Sequence, residues 1–80
     1  MKANRAYELI VHRGGRAPGL LASPDRVDHV EVVDIDSGEV VLFWDTTPQQ
    51  TGRLSRALRA DLAQLDAIEF MTRWRRYETP

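Results

Sequence analysis

The sequence VDHVEVVDIDSGEVVLFWD, residues 27–45, decides the fold of this 80-residue chain. Two runs that are rich in β-branched and aromatic residues, 27–35 and 39–45, flank Asp36, Ser37 and Gly38. That tripeptide suits a type I turn closed by a left-handed glycine with a G1 bulge. The stretch therefore predicts a β-hairpin.

The register of this hairpin follows if Ile35 pairs with Glu39, because side chains alternate between the two faces of a strand. One face then carries the pairs Val32–Leu42 and Val30–Trp44, and the other carries Val33–Val41 and Glu31–Phe43. The first face makes the better core. Residues 40–44 are apolar on both parities, which predicts either a strand covered on both faces or one face that awaits a partner.

A third strand is predicted upstream of the hairpin, over residues 5–13. Tyr7, Leu9 and Val11 alternate there with more polar neighbours, as in a half-buried strand. Residues 14–26 contain three glycines and two prolines, which break any regular element and predict a loop. We expect Leu20 and Leu21 to hold this loop against the core.

Two helices are predicted after the hairpin. Thr47 suits the N-cap, Pro48 the first helical position, and Gln50 completes a capping box. A stripe facing the sheet recurs at helical spacing and consists of Leu54, Ala57, Leu58, Leu62 and Leu65. Close packing on the strand below is the only reason that the sequence suggests for Gly52, a poor helix former.

A second, shorter helix is expected to begin with another capping box, formed by Asp66 and Glu69. It would carry Phe70 and Trp74 on one face, and one long bent helix is the alternative. The pattern as a whole predicts an α+β fold in one domain, residues 1–80. Its order is β-β-β-α-α, a three-stranded antiparallel meander followed by two C-terminal helices packed on one face.

Composition excludes several classes of protein. The chain has no cysteine and two histidines, so neither a disulfide framework nor a zinc knuckle is possible. No apolar run approaches the ~20 residues that span a bilayer, and the first residues lack the apolar core of a signal peptide. We therefore expect a cytoplasmic protein without membrane contact. Ten arginines against one lysine are typical of GC-rich bacterial genomes.

Charge is segregated along the chain, although the net charge is only −1. Residues 1–16 sum to +3, residues 25–45 to −6, and residues 48–80 to +2. The sequence pI of about 6.1 is far below the value above ~9 that is usual for a dedicated DNA-binding domain. Opposite charge on the middle and the flanks instead favours pairing between copies of the chain.

One candidate anion site lies after the first strand, where arginine side chains and backbone N–H groups could hold a phosphate or carboxylate. It consists of His12, Arg13, Gly14, Gly15 and Arg16. A plain turn at the strand exit is the favoured interpretation, because no helix or Walker pattern follows the glycines.

Metal binding and catalysis find little support in the sequence. Asp34, Asp36 and Glu39 read as solvated turn formers. Asp28 and Glu31 lie on opposite parities of one strand, which argues against a metal triad with His29. No serine lies in a nucleophile elbow, and both histidines lie in or beside strands. We expect no catalytic residue, no metal and no cofactor, and thus no enzyme.

The leading hypothesis is a non-enzymatic protein-interaction or regulatory module that forms a homodimer. It would act through the sheet surface and the exposed helix arginines, namely Val41, Phe43, Arg53, Arg56, Arg59, Arg73, Arg75 and Arg76. The same six arginines support an alternative, a weak nucleic-acid binder, because arginines interleave with Trp74 and Tyr77 in residues 73–77. Packing of Trp74 in the core, with the arginines compensating the helix dipole, is the simpler interpretation. A third possibility is an accessory protein that binds a small anion through residues 12–16.

Overall fold

The computed structural model describes residues 1–14 and 27–77, and it confirms the α+β fold. The elements are α1 (Ala3–Ala6), β1 (Tyr7–His12), β2 (Asp28–Asp34), β3 (Val40–Thr46), α2 (Pro48–Gln64) and α3 (Ala67–Trp74). The strands form one antiparallel sheet in the order β1-β2-β3, as predicted. Most of the predicted loop, including Leu20 and Leu21, lies outside the described residues.

The β2–β3 hairpin confirms most of the predicted register. Gly38 has a φ of 76°, the left-handed conformation that the turn requires. Three predicted cross-strand pairs are present, Val30–Trp44, Glu31–Phe43 and Val32–Leu42.

The register shifts between Val32 and Val33, so the predicted pairs Val33–Val41 and Ile35–Glu39 are wrong. Val33 pairs with Val40, and the Asp34 N–H donates to the Glu39 carbonyl at 2.8 Å. The cause is the Asp34 side chain, which accepts the Asp36 and Ser37 N–H groups at 2.9 and 3.1 Å and draws Ile35 into the turn. A bulge is therefore present, but it lies within the paired strands, opposite Val32 and Val33, and not at the glycine as predicted.

Strand β1 begins two residues later than predicted, because residues 3–6 form the short helix α1. The residues before β1 contact the α2–α3 connection: the Ala3 N–H donates to the Leu65 carbonyl at 3.0 Å, and the Ala67 N–H donates to the Met1 carbonyl at 2.9 Å. Ala3 is fully buried as a result. These bonds join parts of the chain that no local pattern connects.

Helix α2 begins as predicted, with both hydrogen bonds of the Thr47–Gln50 capping box present. Leu54, Leu58 and Leu62 are buried. Ala57 is exposed, contrary to prediction, and the polar side chains of Thr51 and Ser55 share the buried face instead. The predicted close packing at Gly52 is also wrong, because a Cβ atom there would meet nothing within 4 Å.

Helix α3 is separate from α2, and Asp66 is its N-cap residue. The predicted capping box is absent, since the Asp66 carboxylate makes no cap hydrogen bond and instead accepts from the Met1 ammonium at 2.8 Å. Phe70 and Trp74 are buried as predicted. The described residues contain no helix long and apolar enough to cross a membrane.

The core lies between one face of the sheet and the two long helices. Val30, Val32 and Trp44 supply the buried sheet side chains, and they pack with Leu58 and Phe70 from the helices. Full burial of such side chains contributes about 1.5–3 kcal/mol each, so this layer stabilises the fold. Helices α2 and α3 leave Val40 and Phe43 on the other face of the sheet half exposed.

Candidate functional site

We call the face of the sheet opposite to α2 and α3 the open face. Its side chains follow from the strand register and form three rows across the sheet. The rows are Glu8–Val33–Val40, Ile10–Glu31–Phe43 and His12–His29–Asp45.

Apolar side chains from all three strands contribute to the open face. Phe43 and Val40 are each 50% exposed, whereas Ile10 and Val33 are half-buried. The long helices pack on the other side of the sheet, through residues such as Leu58. The open face therefore presents hydrophobic surface to solvent.

Val41 and Phe43 are the two sheet residues that were predicted to contact a partner. Phe43 lies on the open face and Val41 does not. Val41 is half-buried and packs against the core cluster, as does its neighbour Leu42. The extra residue of the bulge in β3 explains this, because it interrupts the alternation of side chains between the two faces. Val40 thereby takes the place on the open face that the sequence assigned to Val41.

Each histidine on the open face contacts a carboxylate. His29 Nδ1 lies 2.6 Å from Asp45 Oδ1, and the His29 ring stacks on Phe43 with the centroids 5.4 Å apart. His12 Nε2 lies 3.4 Å from Glu31 Oε2. Because an ionised carboxylate only accepts hydrogen bonds, His29 Nδ1 is the donor to Asp45.

A buried polar cluster lies on the core side at the start of β2, and sequence reasoning missed it. Asp28 is fully buried; its Oδ1 accepts the Gly14 N–H at 2.8 Å and its Oδ2 accepts the Thr51 hydroxyl at 2.6 Å. Thr46 Oγ1 lies 2.7 Å from Thr51 Oγ1. Asp28 and Val30 are two residues apart in a strand and therefore point to the same face. This alternation was the sequence signal that could have placed the carboxylate in the core.

The position of Asp28 decides against a metal triad with His29 and Glu31. Asp28 faces the core while His29 and Glu31 face the other way, as the alternation of side chains along the strand predicted. Within residues 1–14 and 27–77, no group of three or more potential ligands could hold a metal ion.

At the candidate anion site, Gly14 gives its N–H to Asp28, His12 contacts Glu31 and Arg13 is exposed. Gly15 and Arg16 lie outside the described residues.

The candidate arginines separate into two groups. All six are exposed: Arg53, Arg56 and Arg59 on α2, and Arg73, Arg75 and Arg76 at and just beyond the end of α3. Among the described residues, Arg53 lines a cleft between α2 and the end of α3, and Arg73 and Arg76 line an adjoining space that shares Trp74 and Tyr77. Arg73 also forms an ion pair with Asp61 at 3.1 Å. Half of the predicted arginines therefore lie beside these two aromatic side chains.

Comparisons with models of protein families, with curated proteins and with solved structures found no match to this chain.

Proposed function

We propose that this chain is a non-enzymatic interaction module that forms a symmetric homodimer through the open face. One observation carries the proposal: Phe43 and Val40 remain 50% exposed on a sheet face that lies opposite to the helices. An extended sheet surface suits a flat protein partner better than a small substrate, which usually binds in a concave site.

The size of the chain supports a partner on this face. A domain of this length removes only roughly 60–65% of the surface that its unfolded chain exposes. Among the described elements, the helices cover one face of the sheet and none packs on the other, which leaves room for a second layer. A second copy would supply it, with the two sheets packed about 10 Å apart.

The outer side chains of two rows on the open face are complementary under two-fold symmetry. A two-fold axis that lies in the interface parallel to the strands would place β1 of one copy over β3 of the other. Ile10 would then face Phe43 of the second copy, and His12 would face Asp45 of the second copy. Glu31, in the middle of its row, would face Glu31 of the second copy; it already contacts His12 of its own chain and its side chain is only 20% exposed.

Light scattering across protein concentrations from low micromolar to millimolar tests the proposal. We expect the mass to rise from the 9.1 kDa monomer towards twice that value. A mass that stays at the monomer value across the range would refute the homodimer.

Substitutions then locate the interface. Phe43→Thr removes exposed apolar surface and keeps a residue type that favours β-strands. The exposed half of Phe43 amounts to about 100 Å² in each copy. At roughly 25 cal/mol per Å², loss of this area from both copies would weaken dimerisation at least about 100-fold.

Ile68→Thr is the matched control, because Ile68 is 77% exposed but lies on α3, away from the open face. We expect it to leave the dimerisation constant unchanged. Equal effects of the two substitutions would place the interface elsewhere.

A further inference from the structure

A cleft between α2 and the end of α3 is not used by the proposed dimer. Its volume is about 260 Å³, and it is lined by Gln50, Arg53, Leu54, Ala57, Trp74 and Tyr77. A shallower space of about 390 Å³ shares Trp74 and Tyr77 and adds Asp61, Arg73 and Arg76. The two spaces together place aromatic rings next to three arginines that come from two helices.

The aromatic side chains of this cleft are held in place before any ligand binds. Trp74 Nε1–H donates to Asp61 Oδ2 at 2.9 Å, and Trp44 Nε1–H donates to the Tyr77 carbonyl at 3.2 Å. The Trp74 and Tyr77 rings meet edge to face with centroids 5.0 Å apart. Because Tyr77 remains 37% exposed, its ring offers a preformed apolar contact.

The charge of the cleft favours an anion. In the cleft of about 260 Å³, Arg53 is the one charged side chain among the described lining residues. Arg73 and Arg76 line the adjoining space together with Asp61, and Arg73 already forms an ion pair with that carboxylate. Arg53 is therefore the main candidate for binding a ligand. The planar guanidinium group matches the geometry of a carboxylate or phosphate and also stacks on aromatic rings.

We propose that this cleft binds a small organic anion that carries a planar ring. The ring would lie against Tyr77 and the edge of Trp74, and the phosphate or carboxylate would contact Arg53. The volume of about 260 Å³ is near the lower end of small-molecule sites, which favours one ring with one anionic group. The site is on the helix side of the molecule and does not depend on the dimer.

Titration with phenyl phosphate, followed by the indole N–H signals in a ¹H–¹⁵N NMR spectrum, tests this assignment. The chain has two tryptophans, and both belong to the ring cluster around the cleft. We expect a saturable shift of the Trp74 signal. Phenol and inorganic phosphate, each carrying half of the recognised chemistry, should bind at least about tenfold more weakly.

Substitutions identify the residues that bind the probe. Arg53→Ala should weaken phenyl phosphate binding about tenfold, since it removes a charge-assisted hydrogen bond. Arg56→Ala is the matched control on the same helix, because Arg56 is exposed but does not line the cleft. It should leave the affinity unchanged.

Three outcomes would overturn the proposal. Phenyl phosphate could leave the Trp74 signal unmoved in the folded protein, or inorganic phosphate could bind as tightly as phenyl phosphate. The third is tight, steeply salt-dependent binding of a single-stranded oligonucleotide without binding of phenyl phosphate, which would assign the arginines to a nucleic-acid surface. Loss of dimerisation in Phe43→Thr leaves this test unaffected, so the two proposals fail separately.

Discussion

Replacement of Thr51 by valine tests the role of the buried Asp28 cluster. Thr51 is fully buried, and its hydroxyl donates to Asp28 Oδ2 at 2.6 Å. Valine keeps nearly the same shape, so the substitution removes the hydroxyl without opening a large cavity. The carboxylate of Asp28 then loses one charge-assisted hydrogen bond inside the protein, where water replaces it poorly.

The expected loss of stability is large for a chain of this size. A hydrogen bond to a charged group contributes about 1.5–3 kcal/mol. An 80-residue domain has a total unfolding free energy of roughly 4–12 kcal/mol at 0.05–0.15 kcal/mol per residue. Thr51→Val should therefore lower the melting temperature by about 6–24 °C, at roughly 4–8 °C per kcal/mol.

Urea unfolding followed by tryptophan fluorescence, together with calorimetry, measures the effect. Thr72→Val is the matched control, because the Thr72 hydroxyl also donates a hydrogen bond, to the Ile68 carbonyl at 2.9 Å, but is exposed. We expect that substitution to change the unfolding free energy by no more than about 0.5 kcal/mol.

A double-mutant cycle makes the test specific to the Asp28–Thr51 pair. Combining Thr51→Val with Asp28→Asn should reveal a coupling energy above about 0.5 kcal/mol, as for residues in direct contact. If Thr51→Val is no more destabilising than Thr72→Val, or if the two core substitutions are additive, the hydrogen bond does not stabilise the fold as argued.

Two further predictions concern the turn and the N-terminal contact. Gly38→Ala should destabilise the fold by about 1 kcal/mol because its φ is 76°, whereas Gly52→Ala should stabilise it by up to about 1 kcal/mol because the added methyl group meets nothing within 4 Å. Urea midpoints that move in the same direction for both would contradict this. The hydrogen bond from the Met1 ammonium lowers the pKa of Asp66. Since the folded-state pKa lies below the unfolded one, the stabilisation is present above about pH 4 and is lost as the pH falls through the folded value. The wild-type urea midpoint should thus fall more at acid pH than that of Asp66→Asn, and parallel profiles would refute the contribution.

The sequence by itself determined the elements whose signals are local. The hairpin follows from β-branched runs around a turn that needs Gly38, and the start of α2 follows from Thr47, Pro48 and Gln50. The alternation of side chains along β3 also sufficed to predict that Phe43 faces away from the core. Each of these signals lies within a short stretch of consecutive residues, so the local sequence is sufficient to predict the element.

Only the tertiary structure decided the remainder, because those contacts join residues far apart in the chain. Asp66 reads as the start of a capping box, yet its carboxylate binds the Met1 ammonium 65 residues away. Val40 and Val41 have the same side chain, and the bulge in β3 alone determines which of them faces solvent. Likewise, Arg53 lines one cleft with Trp74 only because α2 and α3 pack together, and Asp28 meets Thr51 only because β2 lies beside the first turn of α2.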